Sequence, residues 1–115
     1  MIINKKNTPH YTWGNNCGAW VLLQSEYAII KEEIMPPSAE ESLHYHTKME
    51  QLFYILEGQA NFFIDKEVHI VNQQEAIKAA PNQHHKICNH SNEPIRFLVI
   101  SFPGKLDDRI EVNDK

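Results

Sequence analysis

His44-Tyr45-His46-Thr47-Lys48-Met49-Glu50-Gln51-Leu52-Phe53-Tyr54-Ile55-Leu56-Glu57-Gly58 is the stretch on which the fold turns. Side chains alternate faces along a strand, so His44 and His46 project from one side of an extended segment and can reach a single ion together. Imidazole suits Zn, Cu, Fe and Ni, and a third histidine from a distant strand would close the shell. His85, followed by Asn89, is the candidate third.

Outward from this pincer the chain reads as strands and turns, with no convincing helix. Ala28 to Ile34 ends at Pro36-Pro37, which cannot continue a ladder. Leu52 to Leu56, Gln59 to Ile64, Glu67 to Val71, Ala76 to Ala80, His84 to Cys88 and Pro94 to Phe102 follow at short intervals, the spacing of a sandwich or barrel. Asp65-Lys66 sits between two apolar runs as a hairpin turn without the customary glycine. From Gly104 the alternation is lost, and the tail is expected to be partly irregular and to fray at its end.

Composition narrows the function classes. At 115 residues and 13.4 kDa the chain is read as one domain, residues 1–115, with a core at about 29–102 and strands before it. The net charge of −4 is spread without basic clusters, which argues against nucleic acid. No run of eighteen apolar residues suggests a membrane span, and Met1 to Lys6 lacks the apolar stretch of a signal peptide. Cys17 and Cys88 follow no metal or redox spacing and read as plain thiols of a reducing compartment, so a cytoplasmic location is expected.

The segment His44-x-His46-x4-Gln51-x6-Gly58 resembles the first cupin motif, two histidines, an acidic ligand and a strand-closing glycine; Ala80-Pro81-Asn82-Gln83-His84-His85-x3-Asn89 resembles the second. The resemblance spans roughly Ile29 to Phe102. It implies an all-β fold, the double-stranded β-helix or jelly-roll barrel of small RmlC-like cupins, and one divalent metal (Fe, Mn, Ni or Zn) held by His44, His46, His85 and the residue in the acidic slot. That slot holds Gln51. Glu50 stands one residue too early, and strand parity favours Gln51, which shares its face with Phe53 and Ile55, unless a bulge intervenes. In the second motif Asn82 takes the place of a glycine, and asparagine tolerates the left-handed conformation that turn needs.

Three imidazoles and an amide would leave the full charge of a dication uncompensated, drawing in an anionic or enolic ligand. The expected function is that of a metal-dependent dioxygenase or isomerase acting on a small oxygen-rich metabolite, a keto, enol or sugar acid. The alternative is a non-catalytic sugar- or metabolite-binding barrel. Tyr45, Tyr54 and Glu50 are the acid–base candidates should the register shift. His84 faces away from His85, while His10, His69 and His90 lack partners at useful spacing, and Asp108-Arg109 reads as a solvated pair. Leu52, Tyr54 and Leu56 make the outer face of their strand apolar, as in a homodimer.

Overall fold

The computed structural model describes residues 1–113; Asp114 and Lys115, where the tail's end was expected to fray, lie outside the described residues. All regular structure is strand: β1 (His10–Trp13), β2 (Cys17–Gln24), β3 (Ile29–Met35), β4 (His44–His46), β5 (Glu50–Glu57), β6 (Ala60–Ile64), β7 (Glu67–Val71), β8 (Ala76–Ala79), β9 (His85–Cys88), β10 (Ile95–Phe102) and β11 (Arg109–Glu111). They form a six-stranded sheet in the order β1-β2-β3-β10-β5-β8 and a five-stranded sheet in the order β11-β4-β9-β6-β7, with antiparallel pairing throughout. This is the jelly-roll architecture expected.

Alternation builds the interior. On β5 Gln51, Phe53 and Ile55 are buried while Leu52, Tyr54 and Leu56 are half-exposed; on β10 Ile95, Phe97, Val99 and Ser101 point inward. These meet Met35, Phe62 and Ile87 in a single cluster of buried apolar side chains. Phe53 packs against Phe62 with ring centroids 4.7 Å apart.

Two turns are set by residue chemistry. Asp65 and Lys66 both adopt positive φ, 47° and 72°, which makes the β6–β7 connection a type I′ turn without glycine. Asn82 also stands in the left-handed region, with φ 69°, and its N–H donates to the carbonyl of His46, tying the loop before β9 to the end of β4. The outer face of the six-stranded sheet carries rows read from the register: Ile30, Ile100 and Leu52 in one, Glu32, Leu98 and Tyr54 in the next.

Gly58 ends β5 with φ +89°, and a Cβ there would stand 2.7 Å from Ile95 Cγ2 and 3.1 Å from the Pro94 carbonyl. Strain and overpacking coincide, so Gly58→Ala should cost about 2–4 kcal/mol in urea unfolding with an unchanged denaturant slope. An unmoved midpoint would contradict this account of the turn.

Candidate metal centre

His44 and His46 emerge from β4 on the same face, and His85 arrives from β9 directly opposite His44 in the ladder. The three rings lie with centroids 4.4–5.6 Å apart. One ligand atom from each falls within 4.8 Å of the others, and all three residues are buried. Each of the two strands starts at a histidine whose Nδ1 lies 2.9 Å from the backbone carbonyl two residues earlier, Ser42 for His44 and Gln83 for His85. A carbonyl only accepts, so Nδ1 carries the proton and the Nε2 lone pair is left for the cavity.

Burial, followed by the nearby charges, lowers all three imidazole pKa values to about 4; Arg109 is the next cause for His44, and His44 itself is the next for His46 and His85. The rings are therefore neutral at physiological pH, as ligation requires. His85 is further fixed by stacking on Phe62, with planes 10° apart.

Gln51 faces inward from β5, and its Oε1 lies 3.1 Å from His85 Nε2 while its Nε2 donates to Ser101 Oγ at 2.9 Å. A neutral His85 whose proton sits on Nδ1 presents an acceptor to that oxygen. Two convergent acceptors about 3 Å apart match the edge of an octahedral ion with bonds near 2.1 Å. With the amide rotated, its N–H would donate to His85 and its oxygen would accept from Ser101, so the same residue can also close the site by hydrogen bonding. Glu50 is on the outer side, paired with Lys78 at 3.1 Å. The donor set thus fits a divalent transition metal, and the parity argument for Gln51 over Glu50 agrees with the side-chain directions.

The remaining histidines stay away from the centre. His84 is exposed and stacks on Tyr45, while His10, His69 and His90 are also exposed. A second group with convergent ligand atoms, Glu40, Cys88 and His90, lies among the described residues. There Glu40 is already paired with Lys86, and burial, reinforced by Glu40, pushes the Cys88 thiol up to about 12. Tyr54 and Glu50 point outward, and Tyr45 is engaged with His84, so none of the three lines the cavity.

What the sequence reading missed is the rest of the cavity wall. An open cavity of about 520 Å³ is lined by His44, His46 and Gln51 and also by Glu33, Glu41 and Arg109. Glu41 lies 3.9 Å from His44 Nδ1 and 3.2 Å from Arg109 Nη1; burial raises its pKa, and Arg109 opposes the shift. Arg109 also reaches Glu111 and Ser42. The Asp108-Arg109 pair is not simply solvated. Asp108 is buried, and its carboxylate accepts from Thr47 N, Thr47 Oγ1, Lys48 N and Met49 N at 2.6–2.9 Å.

A model of the cupin domain, Cupin_2, matches residues 31–101. The chain belongs to the cupin family. An uncharacterized protein of Methanocaldococcus jannaschii, MJ1618, is 35% identical over 83 residues, 72% of this chain and 66% of that protein. This cupin thus spans just under two thirds of that relative's length. Among solved structures, a predicted oxalate decarboxylase from Thermotoga maritima superposes with a TM-score of 0.83 at 19% identity, covering 90% of this chain and 99% of that one. Streptomyces Pac13 with uridine gives 0.84 at 12% identity, covering 97% and 90%. At such identities the likeness is one of fold.

Burial alone would raise the Asp108 pKa, but its four donors outweigh burial and hold it well below the usual carboxylate range. A folded-state pKa below the unfolded value of about 3.9 stabilises the protein above that pH and loses the contribution as pH falls further. Asp108→Asn should therefore cost about 2–3 kcal/mol near neutrality, with the gap to wild type narrowing below roughly pH 4. Urea midpoints measured across pH check this, and a gap independent of pH would refute the charge-assisted clamp.

Proposed function

We propose that this cupin is a metal-dependent enzyme, a dioxygenase or isomerase, acting on a small oxygen-rich metabolite such as a keto, enol or sugar acid. The observation that supports it most is the donor set: three neutral imidazoles with convergent ring nitrogens, Nε2 for His44 and His85, with an amide oxygen beside them and no carboxylate among them. His44, His46 and His85, with Gln51, would hold one divalent ion of the Fe, Mn, Ni or Zn class. When bound, the ion supplies Lewis-acid polarisation of a substrate oxygen and, for iron, access to dioxygen chemistry. Uncompensated positive charge on the bound ion would favour an anionic or enolic ligand; the wider wall is mixed, with Lys31, Lys105 and Arg109 beside Glu33, Glu40 and Glu41.

The names of the solved relatives speak of a nucleoside dehydratase and of a predicted oxalate decarboxylase, which accords with chemistry on small oxygen-rich molecules. A second reading, a sugar- or metabolite-binding barrel with a structural metal, draws on the same donor set and polar wall. Turnover separates the two: ligand-induced thermal stabilisation with no product and no oxygen uptake under any of the four metals would favour the binder. The buried free thiols of Cys17 and Cys88 are in keeping with a cytoplasmic setting.

Metal analysis of tag-free protein purified without chelators should find one ion per chain. Replacing His44, His46 or His85 by Ala should weaken binding by about 100-fold or more while leaving the circular dichroism spectrum intact. Gln51→Glu should tighten it about tenfold in chelator competition by adding an anionic ligand, and Glu50→Gln should do little. Full occupancy in all three histidine variants would overturn the site.

Homodimerisation is part of the proposal. Ile30, Leu52, Tyr54, Leu98 and Ile100 give the six-stranded sheet an outer face that is apolar and only half-buried. A face of this kind is suited to pairing with its own copy. Sedimentation should show a dimer at tens of micromolar, and Leu98→Asp should shift it to monomer; a wild-type monomer at that concentration would count against the pairing.

A further inference from the structure

One buried carboxyl in the cavity has no structural task. Glu33 points inward from β3, in the sheet that faces β4 and β9, and is 8% exposed. It lines the same cavity as His44, His46 and Gln51. Among the described residues it makes no ion pair, and the Trp13 indole is the hydrogen-bonding side chain beside it. The charges of Glu41 and Arg109 from across the cavity and of Lys31 on its own strand act on it, and the Trp13 indole of β1 acts on it by hydrogen bonding. The cations are otherwise engaged: Arg109 holds Glu41 and Glu111, and Lys31 donates to Tyr11 Oη at 2.7 Å. The Trp13 indole N–H, also on the cavity wall, is buried and turned toward the carboxyl without a close, well-aligned bond to it.

An apolar residue here would be cheaper for folding, since burying a carboxyl that nothing neutralises costs several kcal/mol on the order-of-magnitude scale for such groups. The other candidates for proton transfer in the interior fall away. Glu41, on the same wall, is held in an ion pair by Arg109. The thiol of Cys17 is pushed up to about 11 by burial, followed by the charge of Glu33. The histidine lone pairs converge on the metal centre.

We infer that Glu33 is the general acid–base residue of this cavity, moving a proton between carbon atoms of an enolisable substrate held at the histidine centre. The inference rests on the metal-dependent reading above and selects its isomerase arm. The Glu33 carboxylate takes the proton from the carbon beside a carbonyl, and the C–H electron pair becomes the carbon–carbon double bond of an enolate whose charge rests on the oxygen. The neutral acid, having traded its proton with solvent, then returns one to the same carbon, which is exchange. Where that carbon bears a hydroxyl, the proton goes instead to the former carbonyl carbon, while the hydroxyl proton passes to the enolate oxygen and the hydroxyl oxygen becomes the new carbonyl, which is isomerisation. No oxidant or reductant is consumed. Burial, and after it the charge of Glu41, raises the Glu33 pKa to about 7, near which a general acid–base group works best.

The test follows the loss of α-carbon protons by proton NMR in heavy water, using pyruvate, dihydroxyacetone and ribulose as probes. Chelator-free protein reloaded with Mn(II) or Zn(II) is compared with Glu33→Gln, Glu33→Leu and His85→Ala. Wild type should exchange at least one probe. The two Glu33 variants should lose about 100-fold or more of that rate with metal content unchanged and should melt no lower than wild type, because each removes a buried ionisable group. The pH–rate limb governed by a group near neutrality should vanish in Glu33→Gln. Full exchange in both Glu33 variants with metal bound overturns the inference and leaves the metal centre standing. Absence of exchange by metal-loaded wild type with all three probes overturns it as well. Failure of wild type to hold metal removes the underlying reading first, a result seen in the metal assay alone.

Discussion

The Nδ1–H of His44 and the Nδ1–H of His85 each donate to a carbonyl just upstream in the chain, and the chemistry of the cavity follows from those two bonds. Without them either ring nitrogen could carry the proton, and the centre would offer a mixture of donors and acceptors. With them, and with burial keeping the rings uncharged, the lone pairs face inward together. The device appears twice because the two strands solve the same problem. Each histidine is the first residue of a short strand, where the preceding loop still has a free carbonyl within reach of the ring. The loop before β9 is in turn held by Asn82 N–H on the carbonyl of His46, which ties the two halves of the centre together.

β11 supplies the second constraint. Three residues long, it pairs with β4 and places Arg109 opposite His46 and Glu111 opposite His44. Asp108, just before it, clamps residues 47–49, the segment that joins the histidine strand to the strand carrying Gln51. Consecutive residues in an extended chain point to opposite sides, so Asp108 enters the turn while Arg109 reaches Glu41 at the cavity wall. The tail therefore fixes both the backbone on which ligands sit and the charge balance around them.

Much of this was legible from local chemistry. The parity of His44 and His46, the sharing of a face by Gln51 and Phe53, the left-handed Asn82 and the Asp65-Lys66 turn are properties of adjacent residues, and each stands as the pattern predicts. The cupin motifs carried the fold for the same reason. Glu33 escaped because β3 has apolar residues on both faces, Ile29 and Met35 inward and Ile30 and Ile34 outward, so alternation could not say which of Glu32 and Glu33 is buried. β1 and β2 were weakly marked, since Cys17 to Leu23 is a nearly continuous apolar run rather than an alternating one. Asp108 and Arg109 were misjudged for a different reason. Their partners lie about sixty residues away in the chain, and nothing in a charged tail announces a contact at that separation.

Most polar side chains of the interior are bonded to partners of their own. Gln51, Ser101, Asn89 and Asp108 are all buried and all bonded, as a stable barrel requires. Glu33, by contrast, has no ion-pair partner among the described residues and shares the wall of one cavity with the Trp13 indole, which bonds to nothing else. A sequence under selection for stability alone would have replaced either with an apolar neighbour, since inward positions on β2, β3 and β10 are otherwise filled by Ala19, Met35 and Phe97. Where a protein keeps a carboxyl without an ion-pair partner beside convergent ligand atoms, its task is best sought in what enters the cavity. A substrate with adjacent oxygens meets that description: one oxygen for the histidine centre, with its reacting carbon presented to Glu33.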